Sequence, residues 1–581
     1  MKLNSKLIVS LLLMTSSLVS CYELDLYPHD KVNTGVFWKN EAHVKQGVMG
    51  VYDVMKKKST SGPECGPYGQ YFMLDALSDI AISNPFNGLV GGTTTDRTGE
   101  FKNKWRNMYD GIAKANHALQ NIPKAEIKEE TKNQYIAEVK FLRALYYFHL
   151  LDFYGGVPIY DESWVLSESF DKMMLPRSSA EEVRKFILDD LNVAETNLPY
   201  SWDKANYGRA TKAAAVALRG KVNLFAQNWA EAKKDFEKIV ENKATYKCDL
   251  NDDYAELFKP DTDENPEMIF FISNSGGVGD VNDGLSMAFY HGNGSTFGGG
   301  WASSTLDPDF VDKYEMKDGT KFDWNNYIPG WNTMTPDERL NVLSATTDGK
   351  NVIVAYPKMK DKIIAAYADR DPRLNQTCIT PYSFHLGWYA NQPKLVEHVI
   401  MFAKGPSAAN GYMGYGSDQK WYFYRKFVPE ANCNGQITDR TNTPINFPLI
   451  RYADVLLMLA ECHNELGDVD NAVKYINMVR TRKSTNMPAL NSGNSWLEAR
   501  TKEAVRERIV HERGVEFAGE GLRFSDLRRW RLAEKYCTGI KKTIHGTKRQ
   551  TALFTERDYL WPIPGEETEM NPALLPNNPG W

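Results

Sequence analysis

The chain has 581 residues, of which 42% are hydrophobic and 25% are charged, a balance typical of a globular protein with a large core. Its formal net charge of −5 argues against a general binder of polyanions such as nucleic acids, because neutralising phosphates requires clustered lysine and arginine. Composition therefore favours a folded protein that has no nucleic-acid partner.

The first residues, 1–20, are predicted to be a targeting segment that is removed from the mature protein. Two lysines precede the apolar stretch 7–14, which is far shorter than the roughly 20 apolar residues of a membrane-spanning helix. The residues Leu18-Val19-Ser20-Cys21 then resemble a bacterial lipobox, in which cleavage before the cysteine lets its thiol carry lipid. We therefore predict a lipid anchor on Cys21; an ordinary secretory signal, in which this cysteine has no role, is the alternative.

Apolar residues recur at helical spacing in two separated regions of the chain. In the first region, the stretch 135–153 is compatible with a helix almost throughout, and its run 141–148 is apolar on nearly every face. This predicts a buried helix that ends at the stop signal Gly155-Gly156-Val157-Pro158. Further helices of the first region are predicted around Trp105 and over 179–195, 211–225 and 229–241. In the second region, helices are predicted from Tyr452 to a break at Gly467 and over 471–482, 496–513 and 522–534.

These helices are predicted to pair as hairpins similar to tetratricopeptide (TPR) repeats. Gly220 is followed by Ala232 twelve residues later, and Ala460 is followed by Ala472 at the same separation. Small residues at this spacing let the two helices of a hairpin approach closely. The alanine usual late in the second helix is missing from both pairs, so helical hairpins of another type remain an alternative.

Between the two regions the periodicity vanishes, and the sequence is rich in Gly, Pro, Asn and Asp. A stretch of this length without regular structure inside a compact domain is usually functional. We therefore expect a single, mainly α-helical domain with an N-terminal helical part over 21–245, an irregular ligand-binding lobe over 246–445, and a C-terminal helical part with a tail over 446–581.

The aromatic residues of the irregular lobe are the main candidates for ligand binding. They lie beside Gly, Asn, Asp or Pro and not in amphipathic runs. A sugar ring has an apolar CH face and a rim of hydroxyls, so an exposed aromatic ring with nearby polar side chains complements it. For each residue the alternative is a place in the core of the lobe. The candidates are Tyr290, Trp301, Trp324, Trp331 and Trp388, with Tyr389 and Trp421 beside them.

A dense cluster of charged residues lies between Glu507 and Arg529. Two of its carboxylates could form the acid and base of a glycosidase, but Glu512 and Glu516 lie one helical turn apart among arginines, which favours ion pairs that join helices. The acidic stretch 249–264 lacks the spacing of an EF-hand loop, and the cysteines form no C-x-x-C pair. Without a motif for a catalytic nucleophile, metal or phosphate, we expect no catalysis, cofactor or metal.

Several short motifs, taken in order, resemble the SusD/RagB family of nutrient-binding outer-membrane lipoproteins. They span nearly the whole chain and are the lipobox at Cys21, Phe37-Trp38, Arg143-Ala144 leading into Gly155-Gly156-Val157-Pro158, Asp369-Arg370-Asp371-Pro372-Arg373-Leu374, Ile450-Arg451-Tyr452-Ala453-Asp454-Val455, Glu516-Phe517-Ala518-Gly519-Glu520-Gly521-Leu522-Arg523, Asp526-Leu527-Arg528-Arg529-Trp530 and Asn578-Pro579-Gly580-Trp581. No single motif is decisive, but their order over more than 500 residues makes coincidence a poor explanation.

The resemblance implies a fold of about four TPR-like hairpins that supports the irregular lobe. It also implies a partner, a TonB-dependent (SusC-like) outer-membrane transporter, which the helical hairpins contact while the lobe holds ligand. In the family, the loop that follows Asp79 meets the lobe at the ligand site. On this basis Asp79, Phe86 and Asn87 join the candidate site, opposite Trp301 and Trp324.

The sequence thus predicts a non-catalytic glycan-binding lipoprotein at the cell surface, anchored to the outer membrane through Cys21. It would capture oligosaccharides and deliver them to the transporter. A peptide-binding uptake lipoprotein of the same family is the first alternative. A secreted glycosidase, or a TPR scaffold without ligand, are the others.

Overall fold

Two groups of long helices enclose a middle region of loops and short elements in a computed structural model of the chain. The structure describes residues 37–56, 71–83, 87–165, 169, 172–262, 264–276, 284–348, 352–401, 411–415 and 419–581. None of the helices within these ranges combines the length and hydrophobicity that crossing a bilayer requires. The predicted lipobox and its Cys21 lie outside the described residues.

The N-terminal helices follow the predicted periodicity closely. They are α1 Glu41–Tyr52, α2 Gly99–Asn121, α3 Glu129–Tyr154, α4 Ala180–Asn197, α5 Lys212–Phe225 and α6 Trp229–Glu241, with shorter helices at Tyr71–Ala76, Gly88–Gly91 and Lys243–Tyr246. The middle of α3 is buried on all sides, as its apolar sequence predicts. It ends at Gly155, whose φ of 71° is a conformation that glycine adopts without steric cost.

The C-terminal helices are α7 Tyr452–Glu465, α8 Val469–Arg480, α9 Lys502–Phe517, α10 Arg523–Arg529 and α11 Ala533–Cys537. Two predicted boundaries are wrong. The helix predicted from residue 496 begins later, because the side chain of Thr501 caps α9 by accepting the N–H of Ala504. The helix predicted over 522–534 is two helices, because Arg531 between them has a φ of 57°.

The helices form hairpins that join into one scaffold, so the prediction of a mainly α-helical fold with TPR-like hairpins is confirmed. In the α5–α6 hairpin, a Cβ atom on Gly220 would lie 2.6 Å from the ring of Phe236, so only a glycine allows this approach. Helix α6 also packs against α7, although about 200 residues separate the two in sequence. The N-terminal and C-terminal helices therefore form one scaffold, although the lobe separates them in sequence.

Short antiparallel strands tie the lobe to the scaffold. The longer strands are β1 Ala81–Ser83, β2 Met268–Ile272, β3 Ser304–Leu306, β4 Phe384–Tyr389, β5 Gln392–Glu397, β6 Phe447–Arg451, β7 Gly539–Lys542 and β8 Lys548–Ala552. Strand β2 pairs with β6, so the chain enters and leaves the lobe at adjacent positions. Strand β1 pairs with β3, which attaches the N-terminal part to the lobe.

Within the lobe, the remaining regular elements are short. The helices are Met287–His291, Pro308–Val311, Pro336–Leu343, Lys360–Ala368 and Arg373–Thr377, and the strands are Thr346–Thr347, Ile353–Ala355, Cys378–Ile379, Gly414–Tyr415, Gln419–Lys420 and Phe423–Tyr424. The lobe has its own hydrophobic core, distinct from the larger core of the scaffold. Aromatic side chains contribute much of this lobe core, because large rings fill space that irregular backbone leaves.

A buried network of ion pairs holds the lobe on the scaffold. At its centre, Glu516 on α9 is fully buried and pairs with Arg373 of the lobe at 2.9 Å. It also pairs with Arg451 at the end of β6 at 3.1 Å and with Arg482 after α8 at 3.0 Å. Lys426 of the lobe joins the network through Glu520 at 2.6 Å.

These contacts explain the charged cluster of the sequence as a structural feature. Burial alone would raise the pKa of Glu516, but the arginines Arg482, Arg451 and Arg373 outweigh it and hold the pKa well below its ordinary value. Glu512 has a lowered pKa for the same reason. Carboxylates locked in the charged form by arginines suit ion pairing, so the preferred interpretation of this cluster is confirmed.

Replacing Glu516 with glutamine should lower the free energy of unfolding by about 3–5 kcal/mol, since three buried arginines would lose a shared carboxylate. Urea unfolding followed by circular dichroism measures this change. The control is Glu569→Gln, which removes an exposed ion pair with Arg97 and should leave stability unchanged. Equal losses in the two variants would contradict a central role for the buried network.

A second buried carboxyl group at the same junction, that of Asp75, has a raised pKa. Asp75 accepts the N–H of Gly519 at 2.6 Å, and its other oxygen has no hydrogen-bond partner among the described residues. Burial raises its pKa to about 7, with the charge of Glu520 adding to the rise and the Gly519 N–H and the charge of Lys426 opposing it. The folded protein therefore binds this proton more tightly than the unfolded chain does.

We expect Asp75→Asn to stabilise the protein at pH 8, where the wild-type carboxylate is buried and charged. The gain should shrink as the pH falls from about 7 towards 4, because the wild-type group then takes up a proton on folding. Thermal unfolding across this pH range is the measurement. Asp79→Asn, which removes a paired carboxylate, should destabilise at pH 8; a pH-independent effect of Asp75→Asn would refute the assignment.

Candidate ligand-binding site

Two of the predicted ligand-binding tryptophans lie in the core of the lobe. Trp324 and Trp331 are only 6% and 4% exposed, and their rings stack on each other with centroids 4.7 Å apart. The indole N–H of Trp324 donates to a carboxylate oxygen of Asp312 at 3.2 Å. The expectation that these rings are exposed is therefore wrong, because a lobe with little regular structure still needs apolar side chains for its own core. Trp421 is buried for the same reason.

The candidates from the N-terminal loop also have other partners. Asp79 is buried and pairs with Arg523 at 2.8 Å and Lys313 at 2.7 Å, which joins this segment to α10 and the lobe. Burial would raise the pKa of Asp79, but these two cations hold it well below its ordinary value. Asn87 caps a short helix by accepting the N–H of Leu89 at 2.7 Å. Phe86 lies outside the described residues.

Trp301 fulfils the expectation of an exposed aromatic ring in the lobe. Its side chain is 61% exposed, while its ring contacts Phe289 at 4.6 Å between centroids and Tyr290 at 6.3 Å. Phe289 and Tyr290 are themselves buried, so Tyr290 supports Trp301 and presents little surface of its own. One part of the indole thus rests on protein, and the rest is open to solvent.

The segment 292–300, here called the platform loop, positions this ring. Its base is closed by hydrogen bonds from Trp301 N–H to the carbonyl of Phe289 at 2.8 Å and from Gly300 N–H to the carbonyl of Asn293 at 2.7 Å. A Cβ atom on Gly300 would lie 2.2 Å from the backbone of Gly292, so glycine is needed where the loop closes on itself. The sequence Gly298-Gly299-Gly300-Trp301 therefore builds a tight loop that ends in an exposed ring.

The hairpin of β4 and β5 extends the aromatic surface on the other side of the platform loop. Phe297 of the loop contacts the partly exposed Trp388 at 5.1 Å between centroids, and the N–H of Trp388 donates to the carbonyl of Ser295 at 2.8 Å. Tyr389, the next residue, is 44% exposed. We call Phe289, Tyr290, Phe297, Trp301 and Trp388 together the aromatic platform.

Polar groups beneath the platform loop hold it in place. The side-chain oxygen of Asn293 accepts the N–H and the hydroxyl of Ser295, at 2.8 and 2.6 Å. The buried His398 lies below, with Nε2 3.1 Å from the amide nitrogen of Asn293. Burial, with the nearby Arg425, lowers the pKa of His398 to about 4, so its ring is neutral at physiological pH. The loop therefore has a polar and uncharged base.

Sequence reasoning missed three contributors to this surface. Phe289 and Phe297 were not predicted, because the aromatic candidates of the lobe were its tryptophans and tyrosines. Arg440 is 142 residues from Gly298 of the platform loop in sequence, yet its guanidinium lies 4.3 Å over the ring of Phe289. The glycines before Trp301 are a sequence signal for this loop, but they do not show which distant residues contact it.

Comparisons with known proteins assign the family. The family model described as SusD family matches residues 266–581, and a second, described as starch-binding associating with outer membrane, matches residues 24–224. Because the first match covers more than half of the sequence, the chain belongs to the SusD family. The resemblance to SusD/RagB proteins is thereby confirmed.

Individual relatives align over nearly the whole chain at low identity. SusD-like protein P25 of Formosa agariphila is 25% identical over 590 residues, covering 96% of this chain and 95% of that protein. A SusD-like carbohydrate binding protein of known structure from Bacteroides fragilis has a TM-score of 0.74 at 25% identity, covering 93% of this chain and all of the other. A laminarin binding SusD-like protein, at 22% identity and a TM-score of 0.62, covers 94% of this chain and 100% of its own, and shares the fold.

The two kinds of tryptophan should respond differently to truncation. We expect Trp324→Ala to lower the free energy of unfolding by about 3–5 kcal/mol, because it removes a large ring from the lobe core. Trp301→Ala should cost about 1 kcal/mol or less, since most of its ring is already in solvent. Urea unfolding of both variants tests this order, and the reverse order would show that the burial assignments are wrong.

Proposed function

We propose that the protein binds oligosaccharides at the aromatic platform and does not transform them. The observation that carries this proposal is the exposed ring of Trp301, backed by Phe289 and fixed by hydrogen bonds at the base of the platform loop. A flat ring held in one orientation stacks on the CH face of a sugar at a low cost in conformational entropy. Trp388 offers a second ring beyond the loop.

Relatives support this ligand class. The proteins named starch-binding protein SusD, from Bacteroides thetaiotaomicron, and SusD-like carbohydrate binding protein, from Bacteroides fragilis, both carry a carbohydrate in their names. The match to the former covers 22% of this chain at 33% identity, and the latter aligns over 93% of it. Shared fold together with an exposed aromatic surface favours a glycan as ligand.

The wider role in our proposal is nutrient capture at the cell surface. In this role, lipid on Cys21 anchors the protein to the outer membrane, and the helical scaffold contacts a TonB-dependent transporter of the SusC type that imports the bound oligosaccharide. Support comes from the lipobox sequence and from the family description that mentions association with the outer membrane. Globomycin-sensitive processing, and co-purification of the transporter, test the anchor and the partner separately.

Trp301→Ala should weaken oligosaccharide binding by about 1–3 kcal/mol, because the stacking surface at the centre of the platform is lost. Isothermal titration calorimetry, with ligands chosen by affinity electrophoresis on a polysaccharide panel, measures the change. Trp496→Ala is a matched control, since Trp496 is 59% exposed and lies outside the platform.

Three results would overturn the proposal. Unchanged binding by Trp301→Ala would place the ligand elsewhere on the protein. Binding of a peptide mixture, with no retention by any polysaccharide, would favour the peptide-binding alternative. Release of reducing ends from a polysaccharide by the purified protein would mean that it is an enzyme.

A further inference from the structure

The aromatic platform carries positive charge at two of its edges. The guanidinium of Arg440 lies 4.3 Å over the ring of Phe289. On the β4–β5 hairpin, Nζ of Lys394 lies 4.4 Å from the ring centroid of Tyr389. Lys394 belongs to β5 and is exposed, whereas Arg440 is partly buried beside the platform loop. The two cations therefore flank the aromatic surface at the Trp301 side and at the Trp388 side.

Hydrogen bonds to the platform loop hold Arg440 in place but engage only one of its three guanidinium nitrogens among the described residues. Its Nη1 donates to the carbonyl of Gly298 at 2.9 Å and to that of Gly299 at 3.2 Å. A guanidinium has five N–H donors, and within the described ranges Nε and Nη2 make no further hydrogen bond and no ion pair. The adjacent carboxylate, Asp439, accepts hydrogen bonds from the backbone and hydroxyl of Thr441, within its own turn. With respect to the described residues, Arg440 thus presents a fixed cation with unused donors.

This arrangement differs from the buried ion-pair network between lobe and scaffold. Arg373, Arg451 and Arg482 are buried and matched to carboxylates, so their charge is neutralised inside the fold. At the platform, by contrast, neither Arg440 nor Lys394 has a carboxylate partner among the residues that the structure describes. A third cation, Arg425, donates to the carbonyl of Phe384 under the hairpin at 2.7 Å, with Glu430 as its nearest countercharge.

We infer that the platform selects acidic oligosaccharides, in which a carboxylate or sulfate group on the sugar bonds to the free N–H donors of Arg440. A guanidinium binds such planar or tripodal anions through paired hydrogen bonds, while the neighbouring indole of Trp301 stacks on the sugar ring. Both groups contact Phe289, so one short oligosaccharide can reach them together. The inference rests on the proposed function, because it specifies the ligand of the same surface.

The overall negative charge of the chain does not oppose this inference. Attraction between exposed charges is largely screened beyond the Debye length of about 8–10 Å, so the distant acidic residues that set the net charge have little effect on a contact made directly with Arg440. The formal net charge of −5 argues against binding long polyanions through a broad basic surface. It permits one acidic sugar to be recognised by a fixed cation beside a stacking ring.

The test compares wild type, Arg440→Gln and Arg440→Lys on matched pairs of polysaccharides. Polygalacturonate is paired with its carboxyl-reduced form, and carrageenan with its desulfated form, so the two sources of negative charge are separated. Glutamine can still donate to the Gly298 carbonyl and so preserves the loop contact without the charge. Lysine keeps the charge but lacks the paired donors.

Wild type should bind one acidic polymer more tightly than its neutral partner, and binding should weaken as NaCl rises. Arg440→Gln should lower affinity for that acidic polymer about tenfold or more, with less than about a twofold change for a neutral one. Arg440→Lys should lie between the two, and Lys394→Gln should cause a smaller loss on the acidic polymer alone.

Several outcomes would overturn the inference. Equal loss on acidic and neutral polymers would make Arg440 only an anchor of the platform loop. If wild type prefers the neutral member of each pair, and Trp301→Ala abolishes that binding, glycan binding stands but acidic selectivity fails. If Trp301→Ala binds every polymer as wild type does, or wild type binds none, the proposed binding surface fails as well.

Discussion

Burying a carboxylate on α9 constrains the rest of this structure. Glu516 is shielded from water, and the cost of removing its charge from solvent is several kcal/mol unless cations replace the hydration shell. Its partners Arg373, Arg451 and Arg482 come from the lobe, from the end of β6 and from the segment after α8. Because the charge is satisfied only when all three segments assemble, the network couples lobe and scaffold into one unit.

This coupling explains how an irregular lobe can hold a defined surface. With its attachment fixed by ion pairs and by the β2–β6 pair, the lobe fills its interior with stacked rings such as Trp324 and Trp331. Its loops then have a rigid base to close against. The platform loop uses that base, so Trp301 projects into solvent without the freedom that would make stacking costly.

A helical scaffold that carries variable loops is consistent with the low sequence identity and the shared fold among SusD proteins. Identity is only 25% to a Bacteroides fragilis structure, yet the TM-score is 0.74 over nearly the whole chain. Helical hairpins tolerate such divergence because hydrophobic pattern and volume, more than particular residues, determine their packing. In the function that we propose, ligand preference varies through loop residues such as Trp301 and Arg440 while the helical scaffold stays the same.

Local pattern was enough to predict the helices, because the side chains that repeat every 3.6 residues along α2 or α6 are the ones that helix packing buries. The same periodicity identified the charged cluster as ion pairs, since Glu512 and Glu516 lie one helical turn apart among arginines. Exposure of the aromatic residues could not be predicted in this way. Trp301 follows a run of glycines and Trp324 lies between Asp323 and Asn325, and both settings are typical of irregular structure. Only the folded lobe decides which ring its neighbours cover. Arg440 likewise reaches Phe289 through contacts between distant segments, which no spacing along the chain encodes.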